Sequence, residues 1–219
     1  MRSSSWKNKY IDLVTTKPHI LIAGLERDFT PSERDLISRK INQFPSVYCD
    51  LGCGSGGFTL AHATRFPQSL FIGVELRYKR CFRLAEKAEL AGVNNLIAIR
   101  SDVLRTLAAL PEHSLDGAYV NFPDPWSKRR WKKHRLLDQE FFMAIKRVLK
   151  AGAFFSLKTD HLDYYQDTLH QLETTKMFSQ ISDQAPPPIR ENGFEPSSEF
   201  ENLFKSKGLP FYRITAIKP

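Results

Sequence analysis

Asp124 and Trp126 stand in the segment 121-NFPDPWSKRRWKKHR-135, directly ahead of six Lys/Arg in the eight positions from Lys128 to Arg135. Pro123 and Pro125 fix φ near about −65° and stop the chain continuing as strand or helix, so the carboxylate between them is held in a defined direction. A carboxylate fixed in this way can stabilise positive charge developing on a neighbouring molecule and accept its N–H groups. Lys128, Arg129, Arg130, Lys132, Lys133 and Arg135 attract phosphates, and Trp131 among them offers a stacking face. Nucleic acid is the partner this combination suits. The same residues also read as a proline-rich turn with Asp124 solvated and Trp126 in the core, followed by a solvated basic loop.

A second group with chemical potential is 50-DLGCGSGG-57. Gly52, Gly54 and Gly56 follow an apolar run and precede a helical pattern, the place where a backbone approaches a nucleotide-like ligand too closely for a Cβ. Gly52, Gly54 and Gly57 also satisfy the dinucleotide fingerprint, so the glycines leave NAD and S-adenosylmethionine both open. Asp50 before the loop, Glu75 at the end of the next strand-like run and Asp102 at the end of the third bear on that choice. Carboxylates at neighbouring strand ends suit a ligand with hydroxyls, an ammonium and a sulfonium, with Glu75 placed to accept from both ribose hydroxyls. A pyrophosphate would be repelled by Asp50. Turn or cap residues are the alternative reading of Asp50 and Asp102, behind the cofactor reading that the glycine loop favours.

The elements that must position these groups follow from periodicity. Strand-like runs at VYCDL (47–51), SLFIGVE (69–75), NLIAIRSD (95–102), LDGAYVNF (115–122) and AFFSLKTD (153–160) alternate with helical patterns at 58–66, 77–92, 138–152 and 161–175. That alternation predicts an α/β domain over 46–219, a mainly parallel sheet with helices on both faces. Late strands are expected within 176–182 and 208–218, antiparallel to the rest, across a connection containing APPPIRENG. Residues 1–45, basic and interrupted by Pro18, Pro31 and Pro45, read as an arm ahead of the domain. No internal repeat is present.

The chain has 219 residues, 42% hydrophobic and 26% charged, which suits one folded domain rather than a disordered chain. Its formal net charge of +8 favours a polyanionic partner. Cys49, Cys53 and Cys81 form no C-x-x-C pair and are too few for a disulfide framework, so they read as small buried fillers in a reducing compartment. No stretch has the length of a signal-peptide core or a membrane span. A cytoplasmic protein without metal or membrane partner is expected.

The combination of DLGCGSG, GVELR, NFPDPW-S-K with its basic run, LKTDH and the late Ser198-Glu199-Phe200-Glu201 resembles the bacterial tRNA (guanine-N7-)-methyltransferases from about Val47 to the C terminus. The resemblance implies a Rossmann-like class I methyltransferase fold, S-adenosyl-L-methionine as methyl donor and tRNA as substrate, with N7 of a variable-loop guanosine (position 46) as acceptor. It implies donor contacts from Asp50, Glu75, Asp102 and Asp124 beside the glycine loop, a catalytic role for Asp124, and guanosine contacts from Lys128, Asp160 and Ser198 to Glu201, in a monomer or homodimer. Asp160 also reads as the N-cap of the helix at 161–175. The chain departs from the family pattern at Ser127, in place of proline, Trp131, in place of histidine, and His134, in place of arginine; Ser198 replaces threonine and keeps the hydroxyl. Rival readings are a methyltransferase acting on an exocyclic amino nitrogen, an oxidoreductase using a dinucleotide, and a silent RNA-binding protein on the same scaffold.

Overall fold

Apolar runs bounded by turn signals build the sheet, and the computed structural model describes residues 8–18, 20–24, 27–184 and 196–219. The strands are β1 (Leu21–Ala23), β2 (Ser46–Leu51), β3 (Ser69–Glu75), β4 (Leu96–Arg100), β5 (Leu115–Asn121), β6 (Leu149–Thr159), β7 (Ser179–Asp183) and β8 (Tyr212–Ile217). They form one sheet in the order β1-β4-β3-β2-β5-β6-β8-β7. From β1 to β6 the pairings are parallel; β8 runs antiparallel to both β6 and β7. The helices are α1 (Tyr10–Leu13), α2 (Pro31–Ile41), α3 (Gly57–Arg65), α4 (Tyr78–Leu90), α5 (Val103–Ala109), α6 (Gln139–Val148), α7 (Leu162–Thr175) and α8 (Glu199–Ser206). The expected α/β architecture with an antiparallel late strand is the one observed.

β3, β4 and the centre of β5 are buried, so their side chains face helices on both sides of the sheet. One apolar layer joins Ala63 of α3, Phe66 just after it, and Cys81, Leu84 and Ala88 of α4 to Phe71 and Ala98 of the sheet. The other joins α2, α5, α6 and α7 through Ile37, Leu107, Phe141, Phe142 and Tyr164 to Ile72, Val120 and Phe155. Each of the larger of these, Leu, Ile, Val and Phe, contributes about 1.5–3 kcal/mol by leaving water.

Within residues 1–45, expected as an arm, Leu21–Ala23 joins the sheet and Pro31–Ile41 packs against it. β1 pairs with β4 from Leu21↔Ala98 to Ala23↔Arg100, and α2 buries Ile37 and Ile41 in the second layer. Thr30 starts α2 with a capping box: its hydroxyl accepts from the Glu33 N–H, and the Glu33 carboxylate accepts from the Thr30 N–H. Residues 1–7 and the segment APPPIRENG lie outside the described residues.

The turn from β2 into α3 sets the tightest local constraint. Gly56 has φ +78°, and a Cβ there would stand 2.2 Å from Cδ1 of the buried Leu84. Gly52 has φ +85° but open space around its missing Cβ. Gly56→Ala is therefore expected to lose about 2–4 kcal/mol of stability from combined backbone strain and overpacking, and Gly52→Ala about 1–2 kcal/mol from strain alone. Urea unfolding of the two variants checks the difference; equal losses would contradict it.

Candidate active site

The loops after β2 and β5 leave the sheet in opposite directions. Beyond Leu51, the N–H groups of Gly52 and Cys53 donate to the Val74 carbonyl on the β3 side, at 2.8 and 2.9 Å. Beyond Asn121, the Phe122 N–H donates to the Lys158 carbonyl on the β6 side, at 2.7 Å. A crevice opens between the two carboxyl ends, where open α/β sheets bind ligands. Asn121 reaches across it, donating from Nδ2 to Asp50 Oδ1 at 3.3 Å.

The crevice has two adjoining lobes. The one of about 280 Å³ is walled by the glycine loop, Phe58 and Ser198, Glu199 and Phe200. The one of about 440 Å³ is walled by Glu75, Ser101, Asp102, Trp126 and His134. Gly52, Arg77, Arg80, Asn121, Phe122 and Asp124 line both. Glu75 and Asp124 thus face one shared space, with Asp124 exposed on the boundary between the lobes.

Asp50, only 4% exposed, accepts from the Thr59 hydroxyl at 2.6 Å. Burial pushes its carboxyl up to about 6, against the hydrogen bonds from Thr59 and Asn121 and the positive charge of Lys158. Glu75 holds the floor together: Oε2 accepts from the Gly54 N–H at 3.1 Å and Oε1 from the Arg77 N–H at 2.8 Å. Asp102 caps α5, accepting from the N–H groups of Leu104 and Arg105 at 2.9 and 3.2 Å, while also lining the larger lobe. Cap and crevice wall are one residue here.

The segment Ser198 to Glu201 divides. Ser198 caps α8 through the Glu201 N–H, Glu199 accepts from the Ser55 hydroxyl at 2.9 Å, and the exposed Phe200 ring lies 5.9 Å from that of Phe122. Glu201 is buried instead and accepts from Lys158 at 2.6 Å and Lys205 at 2.7 Å. Burial alone would push its carboxyl up; the two lysines outweigh that and hold it below the usual range. It lines neither lobe, and neither do Lys128 and Asp160. The cap of α7 is His161, whose ring accepts from the Tyr164 N–H, so the reading of Asp160 as that cap is corrected; Asp160 is exposed one residue earlier.

Residues 45–214 match the family model described as "Putative methyltransferase". The tRNA (guanine-N(7)-)-methyltransferase of Chlamydia pneumoniae is 33% identical over 174 residues, which cover 79% of this chain and 76% of that protein. The chain belongs to this methyltransferase family. The tRNA (guanine-N(7)-)-methyltransferase of Rubrobacter xylanophilus is 30% identical over 78% of this chain and 75% of its own length. Among solved structures, the 16S rRNA methyltransferase KamB superposes with a TM-score of 0.65 at 17% identity over 91% of this chain and 99% of that one. That likeness establishes the class I methyltransferase fold.

In this family member the basic block is split. Lys128 and Arg130 stand over the Trp131 ring at 4.8 and 5.0 Å, on an exposed 3-10 turn. Trp131 and His134, two of the departures from the family pattern, pack against Trp126 with ring centroids 6.1 and 5.4 Å away. Lys132 and Arg135, expected to face a polyanion, are ion-paired with Asp163 and Asp167 of α7. The side chains of Arg129 and Lys133 lie outside the described residues. Reasoning from sequence missed Arg77, Arg80 and Phe122; the arginines' signal was their position one turn apart, directly after Glu75. Among the described residues no group of three His, Cys, Asp or Glu is gathered as a metal site, and no helix is long and apolar enough to cross a membrane.

The raised Asp50 carboxyl has a defined sign. The folded state binds this proton more tightly than the unfolded chain, so its contribution favours folding below about pH 4 and is lost as pH rises to about 6. Asp50→Asn removes that dependence. Urea unfolding between pH 4 and 7 is expected to show the variant gaining on the wild type by on the order of 2–3 kcal/mol, with the gain still rising through about pH 6 and levelling off near pH 7. A difference that stays constant with pH would show that Asp50 does not titrate there.

Proposed function

We propose that the chain transfers the methyl group of S-adenosyl-L-methionine to N7 of a variable-loop guanosine in tRNA. The observation that carries this reading is the position of Asp124, on the boundary between the lobe lined by Glu75 and Asp102 and the lobe walled by Phe58 and Phe200, in a chain whose relatives are named for that reaction.

The residues fit the donor. Its ribose hydroxyls suit Glu75, its ammonium and sulfonium suit the carboxylates Asp50 and Asp124, and its adenosine suits the larger lobe that Asp102 lines. The buried Asp50 carboxylate, in turn, disfavours the pyrophosphate of a dinucleotide. When bound, S-adenosylmethionine supplies an electrophilic methyl group on a positively charged sulfur.

Guanine N7 carries an in-plane lone pair and no proton, so the acceptor needs no general base. Asp124 instead accepts N–H groups of the purine edge and stabilises the positive charge that moves onto the ring during transfer. Its flanking prolines restrict the backbone on either side, which lowers the cost of alignment. Phe122 and Phe200 offer a face to the purine, and Lys128 and Arg130 around Trp131 offer cations and an indole to the adjoining RNA. N7 lies in a deep, narrow groove of A-form RNA, so a loop nucleotide that can leave its stack is the substrate this crevice admits.

Incubating unmodified tRNA with the protein and S-adenosylmethionine, then mapping modified nucleosides by mass spectrometry, is expected to reveal 7-methylguanosine in the variable loop. Asp124→Ala is expected to lower kcat at least about 100-fold while tRNA affinity changes by less than about threefold. Methylation of an exocyclic amino group, or a normal kcat for the variant, would reject the assignment.

A further inference from the structure

Arg135 belongs to the basic block by sequence but not by environment, for its side chain is only 5% exposed. Its guanidinium spends three nitrogens on the protein. Nε donates to the Pro125 carbonyl at 2.9 Å, one terminal nitrogen donates to Asp167 at 2.5 Å, and the other donates to Asp163 at 2.7 Å. The planar group lies 4.6 Å above the ring of Tyr164, which is itself buried and accepts from the Leu137 N–H. Asp163 and Asp167 are four residues apart on α7, and Lys132 bridges the same two carboxylates at 2.8 and 3.2 Å. Hydrogen bonds from Lys132 and Arg135 hold the Asp163 carboxyl down to about 2.

Pro125 is the neighbour of Asp124. Among the described residues its carbonyl is the one polar backbone group of 123–127 that is hydrogen-bonded to the rest of the chain. The segment also needs restraint, because Phe122 and Trp126 at its ends have φ of +50° and +43°. A non-glycine residue in that region costs on the order of 1–2 kcal/mol, and such a loop relaxes unless its surroundings hold it. The prolines fix the shape of the turn but not its placement over the crevice. Arg135 is the group that ties the turn to a helix packed into the core.

We propose that Arg135 is a positioning residue: gripping Pro125 and anchored on Asp163 and Asp167, it aims the Asp124 carboxylate at the acceptor purine. The inward half of the basic block is then a clamp, and the outward half, Lys128 and Arg130, meets RNA. This rests on the function proposed above. Lysine cannot substitute, because a point charge reproduces neither the three-way fork nor the stacked plane.

The test compares wild type, Arg135→Lys, Asp163→Asn with Asp167→Asn, and Lys128→Ala with Arg130→Ala. Steady-state methylation of tRNA, thermal melting and 19F NMR of protein labelled with 5-fluorotryptophan, with signals assigned by Trp→Phe exchange, are the readouts. Arg135→Lys is expected to lower kcat about 10- to 100-fold, leave KM for tRNA within about threefold, melt within a few degrees of wild type and shift the Trp126 resonance. The paired Asn variant is expected to shift kcat and the Trp126 resonance in the same direction. Lys128→Ala with Arg130→Ala is expected to give the opposite split, a raised KM and a salt slope shallower by about two. A raised KM with intact kcat in Arg135→Lys, or an unmoved Trp126 resonance, overturns the clamp; so does intact kcat in the paired Asn variant. Should Arg135→Lys fail to fold, Asp167→Asn, which removes one arm, decides on the same readouts. A wild type that methylates no tRNA defeats the functional assignment instead, and the Trp126 resonance still decides the clamp.

Discussion

Two adjacent parallel strands, β2 and β5, cannot both keep their neighbour once their loops turn away from each other. The backbone beyond Leu51 is hydrogen-bonded toward β3 and the backbone beyond Asn121 toward β6, so a gap opens at this one place in the sheet. The gap is polar by necessity, since strand ends and loop N–H groups face it. Asp50, Glu75 and Asn121 occupy it, and two of their hydrogen bonds join separate strands to one another or to the glycine loop. A methyl donor with positive charge and hydroxyls is the complement of such a floor.

Charge is sorted by depth around that gap. The buried carboxylates Asp50 and Glu75 lie deepest, while the exposed Arg77 and Arg80 line both lobes and Lys128 and Arg130 sit on the outer turn. A second sorting fixes the wall. Lys158 of β6 and Glu201 of α8, both nearly fully buried, pair at 2.6 Å and hold the start of α8 beside the crevice. Breaking such a pair strands a charge in the interior and commonly costs about 3–5 kcal/mol, whereas the intact pair adds little net stability. Its value here is placement. Phe200 and Glu199, one and two residues before Glu201, are thereby kept against Phe122 and Ser55.

The sheet was legible because buried parallel strands are continuous apolar runs and the helices between them keep a three- and four-residue period. The glycine loop and the carboxylates Asp50, Glu75 and Asp102 were legible because strand ends meet at a switch point whatever the helices do. Less accessible was β1, whose three residues are too short to show a period and follow a proline-broken stretch. α5 was missed for a similar reason, as seven residues between Asp102 and Leu110 give barely two turns. Side-chain direction was least legible of all. Lys132 and Arg135 look like Lys128 and Arg130 in sequence, and only the i, i+4 carboxylates of α7, 28 to 35 residues onward, turn them inward. Likewise, nothing in the run Ser198 to Glu201 announces that β6 brings Lys158 beneath Glu201.

The central claim is that one crevice holds the methyl donor against Glu75 with its reactive end toward Asp124. A crystal structure of the protein with S-adenosylhomocysteine tests it most directly. The ribose hydroxyls are predicted within hydrogen-bonding distance of the Glu75 carboxylate and the sulfur in the space that Asp124 lines. Density for the ligand in any other cavity, or a Glu75 carboxylate turned away from the bound ribose, would contradict the account.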